Sequence, residues 1–428
     1  MNAKTLYALI GAALLALLGA VLINVAKKPV SESAEQPKAL LPGFRSEVND
    51  VKSIALTGAD NKVIATLKRG DAGWTIAEKS NYPADLAKVR EFLLKLADAT
   101  LIEQKTSNPK RYAELGVDDI KDKDAKGVLV VLEGQKDPVR LIVGNFNGAG
   151  GGGTFVRRDG DAQSWLAKGN LVVEKSTANW EQRDLGDIPA SRIKQVTIAQ
   201  PDGKTLRVSK DQPTDANFKI ADVPKGREPS SDFAANSLAS ALANLRAEDV
   251  DAAKDQPPGD KVYKVNYLAF DGLSIDVTAW EKDGKYYAQF AARLDAAQAD
   301  AKIKADQAKA KADYDAAVAN ASAKPDDKTK SDAAAKPVDV PQPLAVSDPA
   351  KDRDEKLAAL TKEVDTLNKT FSGWTFGIAS YKFSSFNKSM DEMLKPLDQK
   401  KPDGKTPAPG KPAAPGGIPL PPPAAKKG

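Results

Sequence analysis

Apolar residues alternate with polar ones at Ile54 and Leu56, at Val63, Ala65 and Leu67, and at Trp74 and Ile76, with turn residues at 58–61 and 69–73 between them. A period of two broken by turns predicts a meander of three short antiparallel strands with one buried face. The period then lengthens. Pro83 suits a first helical turn, Asp85 suits the positive end of a helix dipole, and Val89, Phe92, Leu93 and Leu96 make an apolar stripe, so a helix is predicted to cover the sheet. Arg111 to Leu115 reads as one helical turn closed by Gly116. Residues 128–132 and 139–143 read as a hairpin, and 154–156 as a further strand.

The same succession returns further along. Ile193, Val196 and Ile198 repeat the first strand, Phe218 and Ile220 repeat Trp74 and Ile76, Pro229 repeats Pro83, and Leu242 repeats Leu96. The displacement is 142 residues at the strand, 144 at the aromatic and 146 at the proline and the leucine, a drift that duplication followed by loop growth leaves. Strong alternation at 263–270, 273–280 and 285–290, with turns at Asp271-Gly272 and Asp283-Gly284, predicts hairpin strands. From Ala291 to about Ala323 the composition changes to Ala, Lys and Asp, which predicts a long exposed helix. After a connection holding Pro325, Pro337, Pro341, Pro343 and Pro349, residues Leu357, Leu360, Val364, Leu367 and Phe371 follow at spacings 3, 4, 3, 4, a heptad seam. Their expected cover is Ile303, Ala310, Tyr314, Ala317 and Ala321 on the outgoing helix, in an arm joined to the second module only near Ala291 and Gly373. Strand and helix signals resume at Trp374–Ile378 and 381–394.

At the amino terminus Leu6 to Val25 is twenty residues without a charge, flanked by Lys4 and by Lys27 and Lys28. That length spans a bilayer core and predicts an uncleaved membrane helix. One amino-terminal anchor before a long body is expected to export the body. The expected organisation is an anchor at 1–28, a tether at 29–44, a first α+β module at 45–187, a second at 188–290 plus 373–395, a helical arm with its Pro-rich linker at 291–372, and an unfolded Pro/Lys/Gly tail at 396–428.

Composition narrows the chemistry. The 428 residues contain no His and no Cys, which removes imidazole bases, thiolate nucleophiles and the usual zinc, haem and iron–sulfur ligand sets. The net charge is +5, with basic and acidic residues interleaved, which reads as a solvated surface with no nucleic-acid partner. The glycine run 148–153 lacks the lysine and following helix of a phosphate loop and reads as a hairpin loop. Asp118, Asp119, Asp122 and Asp124, like Asp184 and Asp187, lack calcium-loop spacing and read as turns. Trp74, Tyr82, Trp165, Trp180 and Trp280 read as core anchors, with a ligand groove as the competing role. Arg111, Tyr112 and Arg183 make the one polar group that invites a site. No catalytic residue, cofactor or metal ligand is assigned.

The anchor, the meander ending in Trp74-Thr75-Ile76, the Asn81-Tyr82-Pro83-Ala84-Asp85 turn, Tyr112 with Leu115-Gly116, and residues 180–185 before a second copy resemble the domain of unknown function 4340 family over roughly 45–290 and 373–395. The resemblance implies a membrane-anchored envelope protein in the inner membrane, its bulk outside the cytoplasm. It also implies an accessory role beside an ABC exporter or gliding-motility-like system, with a permease or accessory subunit as partner. The alternative is an envelope scaffold or ligand-binding protein that needs no transporter and uses the junction of its modules as a groove.

Overall fold

The computed structural model describes residues 38–322 and 340–396. The predicted anchor, most of the tether, much of the proline-rich connection and the tail from 397 lie outside the described residues. Among the described residues no helix is long and apolar enough to cross a membrane.

The alternation at 53–76 forms β1 (Ser53–Thr57), β2 (Val63–Gly70) and β3 (Gly73–Ile76), and the chain continues through β4 (Tyr82–Pro83), β5 (Leu101–Gln104), β6 (Val128–Glu133), β7 (Val139–Asn147), β8 (Gly153–Arg158) and β9 (Ser164–Lys168). These nine strands make one antiparallel sheet in the order β4-β3-β2-β1-β6-β7-β8-β9-β5. Next, β10 (Asp184–Gly186) pairs with β14 (Leu245–Arg246). The remaining strands are β11 (Ile193–Ala199), β12 (Thr205–Ser209), β13 (Lys219–Ile220), β15 (Asp249–Ala252), β16 (Val262–Ala269), β17 (Leu273–Lys282), β18 (Lys285–Leu294) and β19 (Trp374–Gly377). They form a second antiparallel sheet, β13-β12-β11-β16-β17-β18-β19-β15. Adding ten to every label from β1 to β9 except β4 turns the first order into the second. The fold is α+β.

Helix α1 (Leu86–Asp98) covers one face of the first sheet. Asp85 caps it by accepting from the Lys88 amide at 3.0 Å, which satisfies a donor the helix itself cannot use. Val89, Phe92, Leu93 and Leu96 are buried against Ile54, Leu56, Leu67 and Ile76, each such side chain contributing about 1.5–3 kcal/mol of burial. On the other face Leu129 and Ile142 pack under Tyr112, Val117 and Ile120. This cover lies so close that a Cβ on Gly144 would stand 2.5 Å from the Leu115 carbonyl oxygen and 2.7 Å from that of Gly116.

Several elements depart from their sequence expectation. Pro83 lies in β4 and the helix starts only at Leu86, because Pro83 is occupied pairing with Thr75. The second copy of the helix is reduced to one turn, Asn236–Ala239, and Pro229 instead bridges to Leu394. Leu185, assigned by sequence to the first module, is buried in the second core together with Ile188. Strand β18 runs on to Leu294, four residues past the expected edge at 290, because β17 offers partners all the way to Leu273.

The arm departs most. Its helices are α2 (Ala296–Ser322) and α3 (Pro349–Phe371), and they fill the connection between β18 and β19, where the first sheet has only the turn at 159–163. Ile303 is buried, but Ala317 is exposed and Ala310 and Tyr314 are only partly covered. Helix α3 does not reserve its apolar seam for α2. Val364 and Leu367 pack on the second core, Phe371 is buried in it, and the Phe371 ring lies 5.4 Å from that of Phe290. Asn368 exchanges two 2.8 Å hydrogen bonds with the backbone of Ala292, and Arg192 holds Glu363 in a two-nitrogen pair at 2.6 and 2.8 Å. The alanine face of α2 offers too little area to compete with the sheet for these residues. Helix α4 (Ser380–Phe386) completes the cover through Phe383 and Phe386.

Candidate functional site

The two cores meet at a short strap and a tight turn. After β3 the turn Ala77–Lys79 passes through Ser80 and Asn81, both at positive φ, 53° and 63°, a conformation that asparagine tolerates better than most residues. The turn throws Lys79 and Tyr82 away from their own sheet. Tyr82 is 1% exposed and belongs to the core of the second module, its ring edge-on to Trp374 at 4.8 Å. Its hydroxyl donates to the Gln182 carbonyl at 2.7 Å.

Residues 180–186 form the strap. Trp180 packs edge-on to Phe92 at 5.4 Å, the Asp85 amide donates to the Trp180 carbonyl, and the Gln182 amide donates to the Pro83 carbonyl. Beyond them β10 pairs with β14 of the second module, and the Ala247 amide donates to Arg183. This pairing turns Glu181 inward.

Lys79 and Glu181 thereby meet Asp249 and Asp251 of β15. The Lys79 ammonium donates to Asp249 Oδ1 at 2.6 Å, to the Val250 carbonyl at 2.9 Å and to Asp251 Oδ1 at 3.2 Å, and stands 3.4 Å from Glu181 Oε1. Glu181 is 1% exposed, and neither of its carboxylate oxygens has a hydrogen-bond partner. Burial pushes this carboxyl up to about 7, Asp249 adds to the rise, and the Lys79 charge opposes it. For Lys79, burial disfavours the charge, but its bond to Asp249 and the fields of Glu181 and Asp251 outweigh that and hold the ammonium above its ordinary range. The Tyr82 hydroxyl is also raised, by burial and then by the Glu181 charge.

Residues 74–264 match the family model described as a domain of unknown function, DUF4340. The chain carries a DUF4340 domain. All four charged groups of the junction, with Tyr82, fall inside the DUF4340 match. No curated protein and no solved structure matches the chain.

The polar group singled out in the sequence is not brought together. Tyr112 donates to the Ala162 carbonyl, Arg111 pairs with Glu114, and Arg183 donates to Ala247. Among the acidic turns, Asp119 pairs with Arg157, Asp184 with Arg246, and Asp187 accepts from the Asn244 amide. Among the described residues no group of three or more acidic residues is arranged to hold a metal ion. Trp74, Tyr82, Trp180 and Trp280 are buried and Trp165 is partly buried. The glycine run joins β7 to β8. At the junction, expected as a groove in the ligand-binding alternative, the Tyr82 ring is buried and Lys79 is ion-paired. An open cavity of about 550 Å³ lies elsewhere, between the amino-terminal segment at Leu41 and Phe44 and the β6–β7 turn at Gln135.

Lys79 and Asp249 are 170 residues apart in the chain, and no spacing rule joins them. The local signal was Glu181 itself, a charge placed directly after the core anchor Trp180.

Proposed function

We propose that the protein is a non-enzymatic envelope protein, held in the inner membrane by Leu6 to Val25, whose two modules descend from one duplicated unit and serve as an accessory component of an ABC-type export or gliding-motility-like system. The bulk of the chain is on the periplasmic or extracytoplasmic side. The observation that carries this reading is the combination of a twenty-residue uncharged run with two sheets of one strand order joined through the buried Tyr82. Such a body presents fixed surfaces to a partner, and a chain without His or Cys has few means of catalysis. The resemblance to exporter-associated envelope proteins supports the choice of partner. Helices α2 and α3 support it too, since the distal half of α2, from Lys311 onward, is exposed almost throughout.

Protease added to spheroplasts is expected to digest the body without lysis, and the protein is expected to copurify with an ABC permease in mild detergent. Protection of the body until lysis would reverse the orientation. Recovery of the chain free of any transporter subunit, at native expression, would favour an envelope binding protein that uses the cavity beside Phe44 and Gln135.

A further inference from the structure

Four charged groups from two modules share one junction, and only one of them is a cation. Glu181 is the member sealed from water, and the Lys79 ammonium that stands 3.4 Å from it is directed onto Asp249, Val250 and Asp251. We propose that the cluster is a proton-operated latch between the modules, in which Glu181 closes the junction when its carboxyl carries a proton and loosens it when the proton leaves.

The geometry distinguishes the two states. With a proton, Glu181 is neutral and its O–H can be offered to Asp249, while Lys79 stays on Asp249, Asp251 and the Val250 carbonyl. Without it, three carboxylates share one ammonium, and the buried one, closed off from solvent, has only the 3.4 Å approach of a Lys79 that Asp249 and Asp251 hold more closely, an arrangement that opening the junction relieves. The groups facing Glu181 come from each element around it. They are Lys79 from the turn after β3, Tyr82 from β4 and Asp249 from β15; Asp251 of β15 joins the cluster through Lys79, and Tyr287 of β18 stands in the field of both aspartates. The proton exchanges with solvent on the β15 side, where the Asp249 and Asp251 side chains are 49% and 39% exposed.

The sign follows from the direction of the shift. Glu181 is raised from its ordinary 4.5 to about 7 in the closed junction, so its contribution is complete below 4.5 and is lost as pH rises through about 7. The latch therefore tightens in mild acid and slackens in alkali.

Amide hydrogen exchange of the full-length protein, corrected for intrinsic rates and followed in peptides covering 180–186 and 245–252, tests this. Protection is expected to fall about tenfold between about pH 6 and about pH 8.5. Glu181→Gln, neutral at every pH, is expected to remove that dependence. Asp249→Asn, at a half-exposed position, is expected to move the midpoint lower, because Asp249 adds to the rise at Glu181. Flat protection in the wild type, or an unchanged pH dependence in Glu181→Gln, would overturn the proposal. Should Glu181→Gln fail to fold, an unmoved midpoint in Asp249→Asn would overturn it instead.

Discussion

Tyr82 does two separable jobs. Its ring is buried among Trp374 and Phe376 of the other module, and its hydroxyl satisfies the Gln182 carbonyl on the strap. Tyr82→Ala should cost about 3–5 kcal/mol by the cavity it leaves, whereas Tyr82→Phe should cost about 1 kcal/mol by losing one hydrogen bond. Chemical denaturation of the two variants measures both, and equal losses would mean that the ring packing contributes little. Trp74 and Phe218 show a quieter correspondence. Both are buried, two residues before the strand residues Ile76 and Ile220, as their shared place in the repeat requires. Gly144 was silent in the sequence, because its need for a bare Cα arises from the carbonyls of Leu115 and Gly116 across the sheet.

Period-two alternation located the strands well, since a one-residue slip would turn Ile54, Leu56 and Leu67 to solvent. Helices were less legible wherever another element competed for their apolar face. The heptad on α3 is real as a pattern, but its C-terminal half faces β18 and not α2. Replacing 296–368 by a Gly/Ser linker should therefore destabilise the second module, since it removes Glu363, Val364, Leu367 and Asn368 from the sheet. A shorter deletion has a different expectation. The Gln307 side chain donates to the Pro349 carbonyl at 2.7 Å, so residues 309–347 can be replaced by a short linker at that crossing. Melting should then stay nearly unchanged, while the long deletion lowers it by several degrees. Equal melting of the two variants would place the fold's dependence outside α3.

At the scale of the molecule the modules share contacts that neither could make alone. The second core takes in Tyr82 and Leu185, and β15 is held at its edge by Lys79. One cooperative unfolding transition is expected by calorimetry for the described body, with Tyr82→Ala separating it into two. Two transitions in the wild type would show the modules to be independent.

Local sequence determined the alternating strands, their turns and the order in which they recur, because alternation and turn chemistry act over a few residues, whereas short strands such as β5, β9, β14 and β15 carried no such signal. It also determined which reactions the chain lacks the side chains to perform. What only the tertiary structure decided was which apolar face meets which, and hence that α3 belongs to the second core and Tyr82 to its neighbour's. It decided as well that Lys79, Glu181, Asp249 and Asp251 meet. A charge is read from sequence as solvated, and burial reverses that reading only when strands far apart in the chain close over it, since desolvation depends on all surrounding atoms and not on neighbours in sequence.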